Sequence, residues 1–166
     1  MKIGGIEVKG PNEVLLVLPR GDEQIVIRAR AVLDMEEFEE LCPVPKPPGR
    51  QTKDGYVQDV DDPGYKQQME NHNERQLGYL VVKSLEPSGI EWDLVDINKP
   101  STFTKWQEDF QAAGLSTIEV NRIMQVVMEA NALDESKLES ARQVFLRGQR
   151  QVPSVSSGPR TEQPSS

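Results

Sequence analysis

The amino-acid sequence predicts an α+β protein that is mainly α, in which a small N-terminal antiparallel β element packs with a bundle of about four to five helices. Short apolar runs separated by turn residues occupy the N-terminal part, and segments with apolar residues at helical spacing follow. The last segment is polar and almost free of apolar residues. We divide the chain into a β element with a short acidic helix (1–42), a proline-rich, acidic mobile loop (43–62), a helical domain (63–148) and a disordered tail (149–166).

Composition excludes several classes of function. The chain has 166 residues, a net charge of −8 and a pI near 4.8, and it has no cluster of Lys and Arg that would bind a nucleic-acid backbone. No apolar run approaches the roughly 18 to 20 residues of a membrane span. The first residues lack the apolar core of a signal peptide, and a single cysteine forms no internal disulfide. We therefore expect a soluble protein that stays in the cytoplasm and binds neither nucleic acid nor membranes.

Three short segments at the N-terminus are typical of strands. They cover residues 3–8, 14–18 and 25–32, and the last alternates apolar with polar residues. The turn clusters Gly10-Pro11-Asn12 and Pro19-Arg20-Gly21-Asp22 separate them. The pattern predicts an antiparallel meander of two or three strands, which needs helices to pack against.

The middle of the chain is predicted to alternate between helices and a long connector. Asp34 is placed to cap a short acidic helix that Pro43 ends. Four prolines then fall within 43–48, and periodicity is lost until residue 62, which predicts a structureless loop. Helical spacing returns over 64–86. Another helix opens near Pro100 and ends at Gly114, which suits a C-terminal left-handed residue.

Residues 115–147 predict a helical hairpin. Ser116 and Glu119 have the spacing of a capping box, and Asp134 is a good N-cap for the second helix. Gly148 is placed to end that second helix.

The apolar positions of the hairpin are the candidate partner-binding residues. They are Ile123, Met124, Val127, Met128, Leu138 and Phe145. Amphipathic helices either bury such a stripe in the core of a bundle or present it to a partner, including a second copy of the chain. Methionines also suit adaptable apolar surfaces. The pattern leaves both uses open.

No catalytic constellation, metal site or cofactor site is predicted. His72 and Cys42 are single examples of their types, with no partner nearby in sequence, and are better explained as packing residues. The acidic residues Asp54, Asp59, Asp61 and Asp62 do not have the spacing of a calcium loop. One Cys and one His cannot supply a structural zinc site. The aromatic residues Trp92, Phe103, Trp106 and Phe110 favour a core over an exposed platform.

Three stretches of the sequence resemble the tail assembly chaperones of long-tailed, non-contractile bacteriophages. They read HNERQLGYLVVKSL, GIEWDLVDINKPSTFTKWQEDFQAAGLS and EVNRIMQVVMEANALDESKLESARQVFLRG, and the similarity extends over about residues 1–148. The resemblance implies a mostly helical, non-enzymatic protein of the infected host cytoplasm that is absent from the mature virion. It also implies a partner, the very long helical tape measure protein, to which such chaperones help recruit tail tube subunits.

Two other classes of function remain open from the sequence. A minor structural protein of the virion, such as a minor tail protein or a head-completion protein, would be found in purified particles. A small enzyme or regulatory protein would depend on His72 or on the acidic loop.

Overall fold

The N-terminal residues form two separate antiparallel strand pairs. Strand β1 (Lys2–Ile3) pairs only with β2 (Ile6–Glu7), and β3 (Glu13–Arg20) pairs along its whole length with β4 (Glu23–Arg30). The computed structural model describes residues 1–150. The predicted three-strand meander is therefore wrong in its first strand, because Gly4 and Gly5 both have positive φ and turn that segment back on itself.

The connector between residues 43 and 62 contains a third strand pair. Strand β5 (Gly49–Thr52) and strand β6 (Gly55–Gln58) form a hairpin, in which the Thr52 hydroxyl donates to the Gly55 carbonyl at 2.7 Å. The prediction of a structureless loop is wrong over this part. The segment lacks the alternation of apolar and polar residues that would predict a strand, and none of residues 43–62 is buried.

The first two helices lie on either side of this connector. Helix α1 (Glu36–Leu41) is short, and helix α2 (Pro63–Ser84) begins where the Asp62 side chain accepts from the Tyr65 amide at 2.8 Å. A 3₁₀ turn, Glu86–Ser88, follows α2. The buried residues of α2 lie mainly in its C-terminal half.

The aromatic segment forms two short helices where one was predicted. A 3₁₀ helix (Pro100–Lys105) leads directly into α3 (Trp106–Ala112). The 3₁₀ helix packs so closely on α2 that a Cβ on Gly78 would lie 2.1 Å from the Phe103 carbonyl oxygen. Phe103, Trp106 and Phe110 are buried, which confirms their assignment to the core. Gly114 has φ 90° and follows α3, as predicted.

The last two helices belong to different compact units. Helix α4 (Thr117–Ala130) begins at the predicted capping box of Ser116 and Glu119 and lies in the unit formed by residues 1–133. Helix α5 (Glu135–Arg150) lies in the unit that begins at Asp134. The helix continues through Gly148, so the predicted end at that residue is wrong. Gly148 does not adopt positive φ, and a helix tolerates glycine at a cost of about 1 kcal/mol. The first two residues of the predicted disordered tail (149–166) belong to α5, and the rest of that tail lies outside the described residues.

The core of the first unit lies between the β3–β4 hairpin and the helices. One face of the hairpin contributes Leu18, Ile27 and Ala29, all buried. Helices α2, α3 and α4 cover this face and complete the cluster. A second, smaller cluster joins α1 to α2 and the 3₁₀ helix, and it consists of Phe38, Cys42, Tyr79 and Phe103. These contacts confirm the predicted α+β, mainly α class.

Candidate functional surfaces

The predicted partner-binding stripe is divided between the core and the surface. Ile123 and Val127 are fully buried in the core of the first unit, which is one of the two uses that their pattern left open. Met124 and Met128 are half-buried, and Met124 packs against the same core. Leu138 and Phe145 are exposed on α5. The division arises because the two helices of the stripe fall in different units.

Helix α5 carries a continuous exposed apolar face. Leu138, Ala141 and Phe145 follow one another at i, i+3 and i+7, so they lie on one side of the helix, and Val144 lies beside them. Val144 is 68% exposed and Phe145 is 63% exposed. We call the surface formed by these four residues the α5 face. Aromatic and branched aliphatic side chains exposed together on one helix are characteristic of a protein-interaction site.

The start of α5 is fixed by local hydrogen bonds. The Asp134 carboxylate accepts from the Ser136 hydroxyl at 2.8 Å and from the Lys137 amide at 3.1 Å. The Ser136 hydrogen bond, followed by the Lys137 amide, lowers the pKa of Asp134. This confirms Asp134 as the predicted cap. The helix therefore has its own start signal, and its apolar face is set by local sequence.

A second surface feature is a cleft of about 610 Å³ beside α1 and the C-terminal end of α2. Val82, Leu85 and Trp92 are among the apolar residues that line it, and Glu37, Glu40 and Glu86 make its rim acidic. The lining contains no Cys, His, Ser or Thr nucleophile. The cleft therefore combines an apolar lining with charged side chains at its rim.

Hydrogen bonds organise the acidic rim of this cleft. The Glu37 carboxylate accepts from the Lys83 ammonium at 3.2 Å and from the Tyr79 hydroxyl at 3.0 Å, and these bonds lower the pKa of Glu37. Burial of the Tyr79 ring, with the Glu37 carboxylate next to its hydroxyl, raises the pKa of Tyr79 to about 12. Lys83 also contacts Glu86 at 3.5 Å. The charged side chains of the rim are therefore mostly paired with one another.

The fold brings together the single cysteine and the single histidine of the chain. The Cys42 sulfur lies 3.6 Å from Nδ1 of His72, and both side chains are buried. The His72 ring also packs on Phe38, with 5.3 Å between ring centroids. Sequence spacing gave no sign of this pair, because 30 positions separate the two residues. The contact lies inside the aromatic cluster and outside the cleft lining, so it resembles packing more than a reaction site.

The acidic residues of the connector make local contacts and do not converge on one site. Asp62 caps α2, Asp61 contacts Lys66 at 3.6 Å, and the Asp59 carboxylate accepts from the Asp61 amide at 3.1 Å. Asp54 is exposed at the turn between β5 and β6. Among residues 1–150, no three His, Cys, Asp or Glu side chains converge in the manner of metal ligands.

Comparisons with known proteins add no relative to this description. No protein-family model, curated protein or solved structure matches the chain. Within the part of the chain that the structure covers, no helix has the length and apolarity to cross a bilayer.

Proposed function

We propose that this chain is a tail assembly chaperone of a long-tailed, non-contractile bacteriophage. It acts in the cytoplasm of the infected host, binds the tape measure protein and keeps that protein soluble during tail assembly. It also helps recruit tail tube subunits, and it is absent from the mature virion. The resemblance of three long stretches of sequence to this family supports the proposal.

The single observation that carries the proposal is the α5 face. Four residues over about two turns of α5, with Leu138 and Phe145 at the ends, expose apolar surface to water. Covering apolar surface releases about 25 cal/mol for each Å² removed from water. A long amphipathic helix provides the complementary stripe, and helix-on-helix recognition at i, i+3 and i+7 anchors is a common binding mode. A tape measure protein offers many such stripes in succession.

The charge of the chain suits the role of keeping an apolar client in solution. The net charge is −8, and charge of this size opposes the association of one complex with another. The α5 helix carries both signs beside its apolar face, with Lys137 and Arg142 alternating with Glu135 and Glu139. Apolar contact therefore governs binding to α5, and overall charge governs solubility.

Co-expression with the tape measure protein of the same phage tests the proposal. We expect the tape measure protein to be insoluble alone, and soluble in the presence of this chain. Affinity capture followed by light scattering should show many copies of the chain on each long client molecule. A client that remains insoluble, with this chain recovered unbound, would refute the chaperone function.

Mass spectrometry of purified phage particles separates this proposal from a structural role. A chaperone should be absent from particles that contain the tape measure and tail tube proteins. Detection of this chain in the particles at a stoichiometry similar to known tail proteins would instead favour a minor virion component.

A further inference from the structure

The hydrogen-bond pattern of the β3–β4 hairpin determines which backbone groups face outward. The Ala31 amide donates to the Asn12 carbonyl at 2.8 Å, directly beyond the first pair of the ladder, Glu13 with Arg30. Bonded and non-bonded pairs alternate in an antiparallel ladder. Leu15 and Arg28 therefore form a non-bonded pair, as do Val17 and Val26. The amides and carbonyls of these residues point away from the partner strand.

The outer edge of β4 is covered at Arg28 and Arg30. The Arg28 amide donates to the Ser88 hydroxyl oxygen at 2.8 Å, and the same hydroxyl donates to the Arg28 carbonyl at 2.9 Å. Two positions further along, the Arg30 carbonyl accepts from the Ser84 hydroxyl at 2.7 Å. The side chains of α2 and the following turn thus take the place of a neighbouring strand.

The outer edge of β3 has no such cover. Within residues 1–150, no group forms a hydrogen bond with the outward amide or carbonyl of Leu15 or Val17. Both residues are exposed, at 54% and 49%. Pro19 lies at the next outward position and has no amide hydrogen, so the open edge ends there. An uncovered strand edge is a template for pairing with another strand.

We propose that the β3 edge pairs with the β3 edge of a second copy of this chain. The two strands run antiparallel about a two-fold axis, with Leu15 opposite Leu15 of the second copy. Glu13 of each copy then lies opposite Val17 of the other. This register pairs all the outward groups from Glu13 to Val17 in about six hydrogen bonds and leaves Pro19 outside. The two hairpins become one four-stranded sheet.

The chemistry of the edge favours a second copy as the occupant. The Glu13 carboxylate is 3.3 Å from the Arg30 guanidinium and 3.5 Å from that of Arg28, so it is already paired within its own hairpin. In the proposed register no charged residue lies directly opposite another of the same sign. The exposed side chains of Leu15, Val17 and Val26 form one apolar surface that continues across the axis into the second copy.

The proposed contact is small and therefore weak. A few residues from each strand bury much less than the roughly 1,200 Å² of a stable interface, and both copies carry the charge of −8. We expect dimers that increase with protein concentration. Added salt should also increase them, because it screens repulsion between acidic chains. This dimer is independent of any client, so it can exist whether or not the chain is a chaperone.

Disulfide trapping tests the register directly. The Cα atoms of an opposed, hydrogen-bonded antiparallel pair lie about 5.5 Å apart, within the range that a disulfide spans. In a C42A background, we expect L15C to form covalent dimers under mild oxidation. The matched control is V26C, an exposed residue on the same apolar surface whose copies would lie about 20 Å apart, three strand spacings across the sheet and four residues along it. Equal cross-linking of the two variants, or none of L15C, would overturn the proposal.

A pair of proline variants tests which edge is used. Val17 and Val26 lie opposite each other in the β3–β4 ladder, and the amide of each points outward. Val17→Pro and Val26→Pro therefore each remove one outward amide and leave the hydrogen bonds between β3 and β4 intact. With folding checked by circular dichroism, we expect Val17→Pro to abolish the dimer seen by analytical ultracentrifugation. Val26→Pro should retain it. Loss in both folded variants or in neither would contradict pairing through β3.

Discussion

Arg20 donates a hydrogen bond to the Glu119 carboxylate and so joins the end of β3 to the start of α4. The same carboxylate accepts from the Ser116 amide at 2.8 Å as part of the capping box. The Arg20 hydrogen bond, and then the backbone hydrogen bond at Ser116, lower the pKa of Glu119 to about 2. One side chain thus starts a helix and also fixes that helix to the β hairpin.

The Glu119 contact predicts a particular dependence of stability on pH. Its folded pKa of about 2 lies below the ordinary value of 4.5, so its ionised form stabilises the fold above pH 4.5. That contribution is lost as the pH falls from 4.5 through 2. Glu119→Gln retains the capping geometry but lacks the charge. The folded and ordinary pKa values of Glu119 bound a range of about pH 5 to 2. Over this range, the free energy of unfolding of the wild type should fall more steeply than that of the variant.

Chemical denaturation at several pH values measures this difference. Ser116→Ala is the control, because it removes the cap but leaves the Glu119 carboxylate; we expect a loss of about 1 kcal/mol at neutral pH. Parallel pH curves for the wild type and Glu119→Gln would show that the Arg20 contact contributes nothing.

Tyr79 should resist ionisation in the folded protein. Its pKa of about 12 lies above the ordinary 10.0, so the neutral hydroxyl stabilises the fold below pH 10. Stability is then lost as the pH rises from 10 toward 12. Ultraviolet absorbance of tyrosinate should show one tyrosine that titrates late, and that late step should be missing in Tyr79→Phe. Its persistence in Tyr79→Phe would assign it to Tyr56 or Tyr65.

The two halves of the predicted stripe should respond differently to truncation. Ile123→Ala leaves a cavity in the core and should cost roughly 2–5 kcal/mol of unfolding free energy. Phe145→Ala removes an exposed side chain and should change it by less than about 0.5 kcal/mol. Urea denaturation measures both values. Equal losses would mean that Phe145 is also part of a packed core.

Gly78 should tolerate no larger residue. The Cβ of an alanine would lie 2.1 Å from the backbone oxygen of Phe103, so α2 and the 3₁₀ helix would have to separate. We expect Gly78→Ala to destabilise the protein by about 1–3 kcal/mol despite its better helix propensity. Gly148→Ala is the matched control, since nothing lies within 4 Å of its Cβ position. Similar thermal stability of Gly78→Ala and the wild type would contradict the close helix contact.

Local signals in the sequence predicted the structure best. The capping box at Ser116, the cap at Asp134 and the left-handed residue at Gly114 all involve hydrogen bonds between residues close in sequence. Burial of Phe103, Trp106 and Phe110 followed from the aromatic character of these residues. The same reasoning predicted the α+β, mainly α class.

Contacts between distant residues could not be predicted. Arg20 and Glu119 are 99 positions apart, and Cys42 meets His72 only because α1 packs on α2. The stripe shared by α4 and α5 has one continuous pattern in sequence, and only the three-dimensional packing separates its buried residues from its exposed ones. The α5 face was therefore predicted in Leu138 and Phe145, whereas Ile123 and Val127 proved to be core residues.

Binding of the client to the α5 face is tested most directly with a matched pair of variants. Val144 and Ile118 are branched aliphatic residues with nearly equal exposure, 68% and 69%, on α5 and α4 respectively. Captured complexes of the tape measure protein should be lost with Val144→Asp and retained with Ile118→Asp, provided that circular dichroism shows both variants equally helical. Retention of the complex by folded Val144→Asp, at the level of Ile118→Asp, would contradict the assignment of the α5 face as the client-binding surface.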